Sequence, residues 1–201
     1  IDDHGNFLMD EFEKLLCPKT KLVAVTHVSN VLGTILPIKE IVRQAHNIGA
    51  HVLIDGCQGI VHEGVDVQDL DAEFYAFTGH KLYGPCGIGV LWGKLDLLNK
   101  MPPYEGGGDM IENVTFEKTT YREAPARFEA GTPPIIEAVG LATAIDYVTG
   151  VGLENIANHE TQLLTYATNH LAEIEGLRTI GRADNKAPII SFELDGVHAH
   201  D

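Results

Sequence analysis

The chain has 201 residues, one domain or one and part of a second, and enough length to bury a core without staples. Apolar residues make up 44% and charged residues 21%, an ordinary globular composition, and no apolar run approaches the ~18 residues of a membrane span. Basic residues number 14 against 29 acidic, a net charge of −15, which argues against a nucleic-acid partner held on a basic face.

Residues 10–16 predict a short helix with Asp10 as its N-cap. Residues 21–28 form a β-branched apolar run, the pattern of a strand buried on both faces of a parallel sheet. Pro37 then opens a helix at its first position. Ile38, Ile41, Val42 and Ala45 form its stripe and Gly49 closes it. Residues 51–55 read as a second buried strand, completing a βαβ unit. Residues 72–77 and 87–92 are two further strands, joined by a loop holding Gly79, Gly84 and Pro85.

The stretch 101–134 is rich in Gly, Pro and Thr and too long to be a passive loop, so it is expected to be functional or to lie at an interface. Two helices follow. The first, carrying Ile135 to Val148, leaves little polar surface. The second has a stripe of Ile156, Leu163, Leu164, Ala167 and Leu171, with Glu154, Asn158 and Glu160 expected to face water. Strands are expected at 177–181 and 187–194, the latter without evident partners. The order predicts an α/β sandwich up to about residue 130, then a helical connection into a second domain.

Cys17, Cys57 and Cys86 give an odd count with no close pair, hence no disulfide framework and an expected cytoplasmic home. His198 and His200 share a strand face, but no carboxylate-plus-His motif supports a metal there. Ile1-Asp2-Asp3-His4 has neither the basic start nor the apolar stretch of a signal peptide. The missing initiator Met and the strand close to the other end point to a piece of a longer chain.

In an open parallel sheet, ligands bind beyond the C-terminal strand ends. After the first strand stand His27, Ser29 and Asn30; after the second, Asp55, Cys57 and Gln58; after the third, Thr78, Gly79, His80 and Lys81. A partly buried Asp55 and a Lys81 in the same layer each need a partner. They either pair with each other or flank an aromatic cofactor. Pyridoxal phosphate takes such a pair, a Schiff-base Lys and an acidic partner for the ring nitrogen, and Thr78 and His80 are donors for its phosphate.

Thr78-Gly79-His80-Lys81-Leu82-Tyr83-Gly84-Pro85 resembles the cofactor-lysine segment of class V aminotransferases and cysteine desulfurases. Asp55-Gly56-Cys57-Gln58, 26 residues before Lys81, and His27-Val28-Ser29-Asn30-Val31-Leu32-Gly33 are similar to that family too, although Ala is usual where Cys57 stands. Glu105-Gly106-Gly107-Gly108-Asp109-Met110-Ile111 and Arg127-Phe128-Glu129-Ala130-Gly131-Thr132-Pro133 resemble the second group of cysteine desulfurases, which works with the SUF sulfur-assembly system. Ordered motifs at these spacings are far more specific than one short match.

The resemblance implies a fold: a three-layer α/β/α sandwich with a mainly parallel sheet, the cofactor-binding large domain over 1–134, then connecting helices and the start of a smaller α+β C-terminal domain over 135–201. It implies pyridoxal 5'-phosphate as cofactor and conversion of L-cysteine to L-alanine, with sulfur passed as persulfide for iron–sulfur assembly. Lys81 would bind the cofactor and move the α-proton, and Asp55 would hold the pyridine nitrogen. Asn30 and Gln58 would contact the ring hydroxyl side or the substrate. Thr78 and His80 would hold the phosphate, and Thr132 would reach the cofactor phosphate of the other subunit of a homodimer. Glu105 would lie near the interface and the mouth of the site.

The family pattern extends past both ends of this sequence, to a stacking His and phosphate turn on one side and a persulfide Cys and carboxylate-gripping Arg on the other. Cys57 and Cys86 read as packing residues, so the chain by itself is expected to be inactive. A sulfur-acceptor protein of the SUF type is the implied partner, with L-selenocysteine as an alternative substrate. The alternatives are another class V enzyme, such as an aminotransferase or selenocysteine lyase, and a non-catalytic partner or scaffold.

Overall fold

Apolar runs of five residues are long enough for a strand and too short for a stable helix, and four of them build the central sheet. A computed structural model describes residues 1–200. Strands β1 (Leu22–Thr26), β2 (His51–Asp55), β3 (Phe74–Thr78) and β4 (Gly89–Gly93) lie side by side in that order. The first three are parallel and β4 is antiparallel to β3. The α/β class and the mainly parallel sheet are those expected.

Helix α1 (Met9–Leu15) precedes β1, and α2 (Ile38–Asn47) connects β1 to β2. Ile38, Ile41, Val42 and Ala45 are all buried, as the 3.6-residue spacing predicts. They pack with Phe12, Val23, Val52, Ile54 and Tyr75 into one core. Two helix ends differ from expectation. Leu8 occupies the α1 N-cap position, so Asp10 lies inside the first turn, and Pro37 caps α2 instead of opening it. Gly49 follows the C-cap of α2 in the left-handed region, at φ +74°.

Burial alternates along the strands and is not two-sided. One face carries Val52, Ile54 and Tyr75, while Leu22 and Leu91 on the other remain 52% and 51% exposed. The two-faced burial expected of the first strand is therefore not met within the described residues.

Three short helices, α3 (Gly59–His62), α4 (Val67–Leu70) and α5 (Leu95–Leu98), complete the connections around the sheet. The 101–134 stretch is not all loop: it contains a hairpin of β5 (Ile111–Val114) and β6 (Thr119–Tyr121). Helices α6 (Ile135–Val151) and α7 (Leu153–Leu171) then meet at a 75° bend, with Gly152 between them at φ +91°. No single helix among the described residues is long and apolar enough to cross a membrane.

Leu141 of α6 packs with Val61 and Leu82 in a second small core. Glu160 of α7 does not face water: its carboxylate meets His62 Nδ1 at 2.9 Å, and both side chains are largely buried. Strand β7 (Leu177–Ile180) pairs antiparallel with β8 (Ser191–Leu194), which supplies the partner that the sequence left unidentified.

At the N-terminal edge of β2 and β3, Glu73 is only 5% exposed. It accepts hydrogen bonds from Val52 N–H at 2.7 Å and Lys94 Nζ at 2.9 Å, and His46 Nε2 lies 3.0 Å away. Burial alone would push this carboxyl up; Lys94, the Val52 N–H and His46 outweigh it and hold it below the usual carboxylate value.

Candidate active site

Because β1, β2 and β3 are parallel, their C-terminal ends share one edge of the sheet. β1 passes into His27, β2 ends at Asp55, and β3 runs directly into a 3-10 turn, Gly79–Leu82, that carries His80 and Lys81. The backbone ties these ends together. His27 N–H donates to Asp55 O at 2.8 Å, and Gly56 N–H donates to Ala76 O at 2.8 Å.

The floor beneath this edge is apolar and tightly packed. His27 is buried, with Nδ1 3.1 Å from the Tyr75 hydroxyl and the two rings perpendicular. Burial pushes the His27 imidazole down and the Tyr75 phenol well up, so both stay neutral near pH 7. A Cβ on Gly56 would fall 2.0 Å from the Tyr75 ring, and one on Gly59 would fall 2.4 Å from His27 Nδ1. Only glycine lets the segment after Asp55 lie this close to the pair. Sequence reading missed this arrangement, although Gly56 and Gly59 bracketing Cys57 and Gln58 were a signal for it.

Above the floor, Asp55 is exposed and not partly buried as expected, because strand alternation places it on the open face. Its Oδ1 accepts from Cys57 N–H at 3.0 Å. Lys81 is half-buried in the adjacent turn. Among the described residues no ion pair within 4.0 Å joins Asp55 to Lys81, so the reading of the two as a structural salt bridge is not met. Asp55 and Lys81 thus stand at neighbouring strand ends, neither in an ion pair within 4.0 Å among the described residues.

Thr78 Oγ1 and His80 Nδ1 lie 2.8 Å apart beside Lys81, so these two expected phosphate donors stand together. Gln58 is half-buried at the N-cap position of α3, and its side chain makes no cap hydrogen bond. Asn30 is exposed in the turn between β1 and α2. Thr132 is exposed in the extended stretch before α6, and no hydrogen bond joins it to the other site residues among those described. Glu105 is exposed as well.

The cysteines separate clearly. Burial pushes the Cys57 thiol up, and the hydrogen bond and charge of Asp55 add to the effect despite nearby Lys81, as expected of a packing residue. Cys86 is exposed, which corrects its reading as packing. Cys17 is exposed, and hydrogen bonds from Lys19 N–H and Thr20 hold its thiol below the usual value. It precedes β1, so it stands at the opposite sheet edge, roughly 16 Å of strand away from the site.

The family model of class V aminotransferases matches residues 1–201. A cysteine desulfurase of Synechococcus elongatus is 54% identical over 196 residues, covering 98% of this chain and 31% of that protein. The apo structure of a cysteine desulfurase from Thermococcus onnurineus superposes with a TM-score of 0.93 at 39% identity, covering all of this chain and 50% of that one. A structure of the C-DES K223A variant, with glycine covalently linked to its PLP cofactor, gives a TM-score of 0.82 at 27% identity over 92% of this chain and 50% of that one. The chain thus spans between 29% and 49% of the length of the curated relatives it matches. With a match along its whole length and its lysine turn at the expected strand end, the chain belongs to the class V aminotransferase family.

Proposed function

We propose that the chain is the cofactor-lysine portion of a pyridoxal-phosphate-dependent cysteine desulfurase, which takes L-cysteine to L-alanine and passes the sulfur on as persulfide. The observation that carries this reading is Asp55 and Lys81 at adjacent strand ends, unpaired with each other, with Thr78 and His80 beside the lysine. The donor set fits pyridoxal phosphate, and the naming of the relatives as cysteine desulfurases supports the substrate.

When bound, the cofactor supplies an electron sink next to the substrate α-carbon. Lys81 anchors its aldehyde carbon and moves the proton at the substrate α-carbon. Asp55 holds a proton at the pyridine nitrogen, and Thr78 and His80 donate to the phosphate. Asn30 and Gln58 orient the ring hydroxyl side or the substrate. Thr132 reaches the phosphate of the cofactor in the other subunit of a homodimer.

Residues 1–134 are assigned to the cofactor-binding domain and 135–201 to the connecting helices and the start of a smaller one. The motifs around Gly107 and Arg127 favour the SUF branch, a SUF-type sulfur acceptor and iron–sulfur assembly, and the three cysteines without a close pair suit a cytoplasmic setting. L-selenocysteine is the substrate to compare with L-cysteine.

Borohydride reduction of the full-length enzyme followed by peptide mass mapping tests the assignment. The pyridoxyl group is expected on Lys81; label on Lys94 or Lys100 would overturn it. The 201-residue chain by itself is expected to release sulfide from L-cysteine at least tenfold more slowly than the full-length enzyme, because the persulfide Cys and carboxylate-gripping Arg that the resemblance implies belong to the longer enzyme and the raised thiol of Cys57 is a poor substitute.

A further inference from the structure

The turn that carries Asn30 is gripped from outside by a segment more than 150 residues later. Internally the turn is closed by Ser29. Its N–H donates to Thr34 O at 2.9 Å, its carbonyl accepts from Gly33 N–H at 3.0 Å, and its hydroxyl accepts from Leu32 N–H at 3.0 Å. The carbonyls on the outer side of the turn are then taken one after another by residues 186–191. Ser191 Oγ donates to Val31 O at 2.5 Å, Lys186 Nζ donates to Leu32 O, and Ala187 N–H donates to Gly33 O at 2.8 Å.

The fit is close. Gly33 has φ +76°, and a Cβ there would lie 2.8 Å from Ala187 O and 3.1 Å from Lys186 Nζ. Lys186 is half-buried, and burial pushes its ammonium below the usual lysine value. Among the described residues it has no carboxylate within 4.0 Å, and the Leu32 carbonyl is its one hydrogen-bond acceptor. A lysine desolvated to hold a backbone carbonyl is costly unless that geometry matters.

We infer that Lys186 and Ser191 are positioning residues for the active site: through the carbonyls of Leu32 and Val31 they fix the turn that presents Asn30. The inference rests on the reading of Asn30 as a group that orients the cofactor ring or the substrate. It makes the segment after β7 part of the site machinery and not only a strand of another unit. Removing one holder loosens the turn without removing any group that touches a reactant.

The test uses the full-length holoenzyme with Lys186→Met, Lys186→Arg, Ser191→Ala and, for reference, Asn30→Ala. Amide hydrogen exchange is read at Ser29 and Gly33, with the β2 amides as internal control, alongside KM and kcat for L-cysteine. Lys186→Met is expected to speed exchange at Ser29 and Gly33 about tenfold and leave β2 unchanged. It should raise KM in the direction of Asn30→Ala, with a smaller effect on kcat. Lys186→Arg should restore both readouts, and Ser191→Ala should reproduce them more weakly.

Unchanged exchange at Ser29 and Gly33 would overturn the inference. So would faster exchange with unchanged KM, since the turn would then be held without positioning anything. Failure of the unsubstituted enzyme to act on L-cysteine would sink the functional reading instead; the exchange data, with pyridoxal phosphate affinity in place of KM, would still decide the clamp.

Discussion

Asp55 and Cys57 are joined at the end of β2, where burial and the Asp55 carboxylate act together on one thiol. The carboxylate accepts the Cys57 N–H and raises the Cys57 thiol, while its exposed side faces the strand edge that Lys81 shares. If Asp55 holds a proton at the pyridine nitrogen, Asp55→Asn should retain cofactor in the full-length enzyme yet lower turnover by roughly 10²–10⁴, the range for a lost proton-handling group. Steady-state kinetics beside an absorbance scan checks this, and near-normal turnover would contradict it. The thiols give a second residue-level test. Cys17 is exposed with a lowered thiol and Cys57 half-buried with a raised one, so iodoacetamide at neutral pH should modify Cys17 about tenfold faster than Cys57. Time-resolved peptide mapping reads the ratio; equal rates would mean that burial and Asp55 together do not raise the Cys57 thiol.

At the scale of elements, Glu73 joins the start of β2, the end of α2 and the Lys94 position ahead of α5. Lys94→Met would leave its buried carboxylate without its lysine and should cost on the order of 2 kcal/mol, the range for a hydrogen bond to a charged group. The pH dependence follows from the direction of the shift. The Glu73 carboxyl is held below its unfolded value of about 4.3, so its contribution is complete above that pH and is lost as pH falls through the lower folded value. Glu73→Gln should therefore flatten the acid limb of stability below about pH 4.3 in denaturant titrations. How much of this was legible depends on range. The β-branched runs at β1 and β2 and the stripe on α2 are local periodicities, and the sequence displays them directly. The α1 cap was misplaced because a cap is set by backbone dihedrals, and Asp10 differs from a true cap only in geometry. The β5–β6 hairpin was hidden because its strands are short, largely polar and interrupted by a register shift between Ile111 and Asn113. The ends of β1, β2 and β3 were readable as a site because the chemistry follows each apolar run, whereas the pairing of His62 with Glu160 and the Glu73 cluster leave no local pattern.

Across the whole molecule, much apolar surface is left uncovered. Ile136 is 83% exposed, Tyr104 91%, and Phe116 at the β5–β6 turn is fully exposed. The proposed homodimer would need such surface, since obligate dimers commonly bury more than ~2,000 Å² in total. Light scattering of the full-length protein at micromolar concentration is expected to give twice the subunit mass; a monomeric mass would count against the dimer and against the role of Thr132. The grip of Ser191 on Val31 has a consequence in time. The two residues are 160 apart in sequence, and ribosomes add about 5–20 residues per second, so the Asn30 turn waits on the order of ten seconds for its holders to be made. Lys81 and its strand are synthesised within that interval. A nascent chain thus carries Lys81 and its strand for several seconds before the residues that hold the Asn30 turn exist.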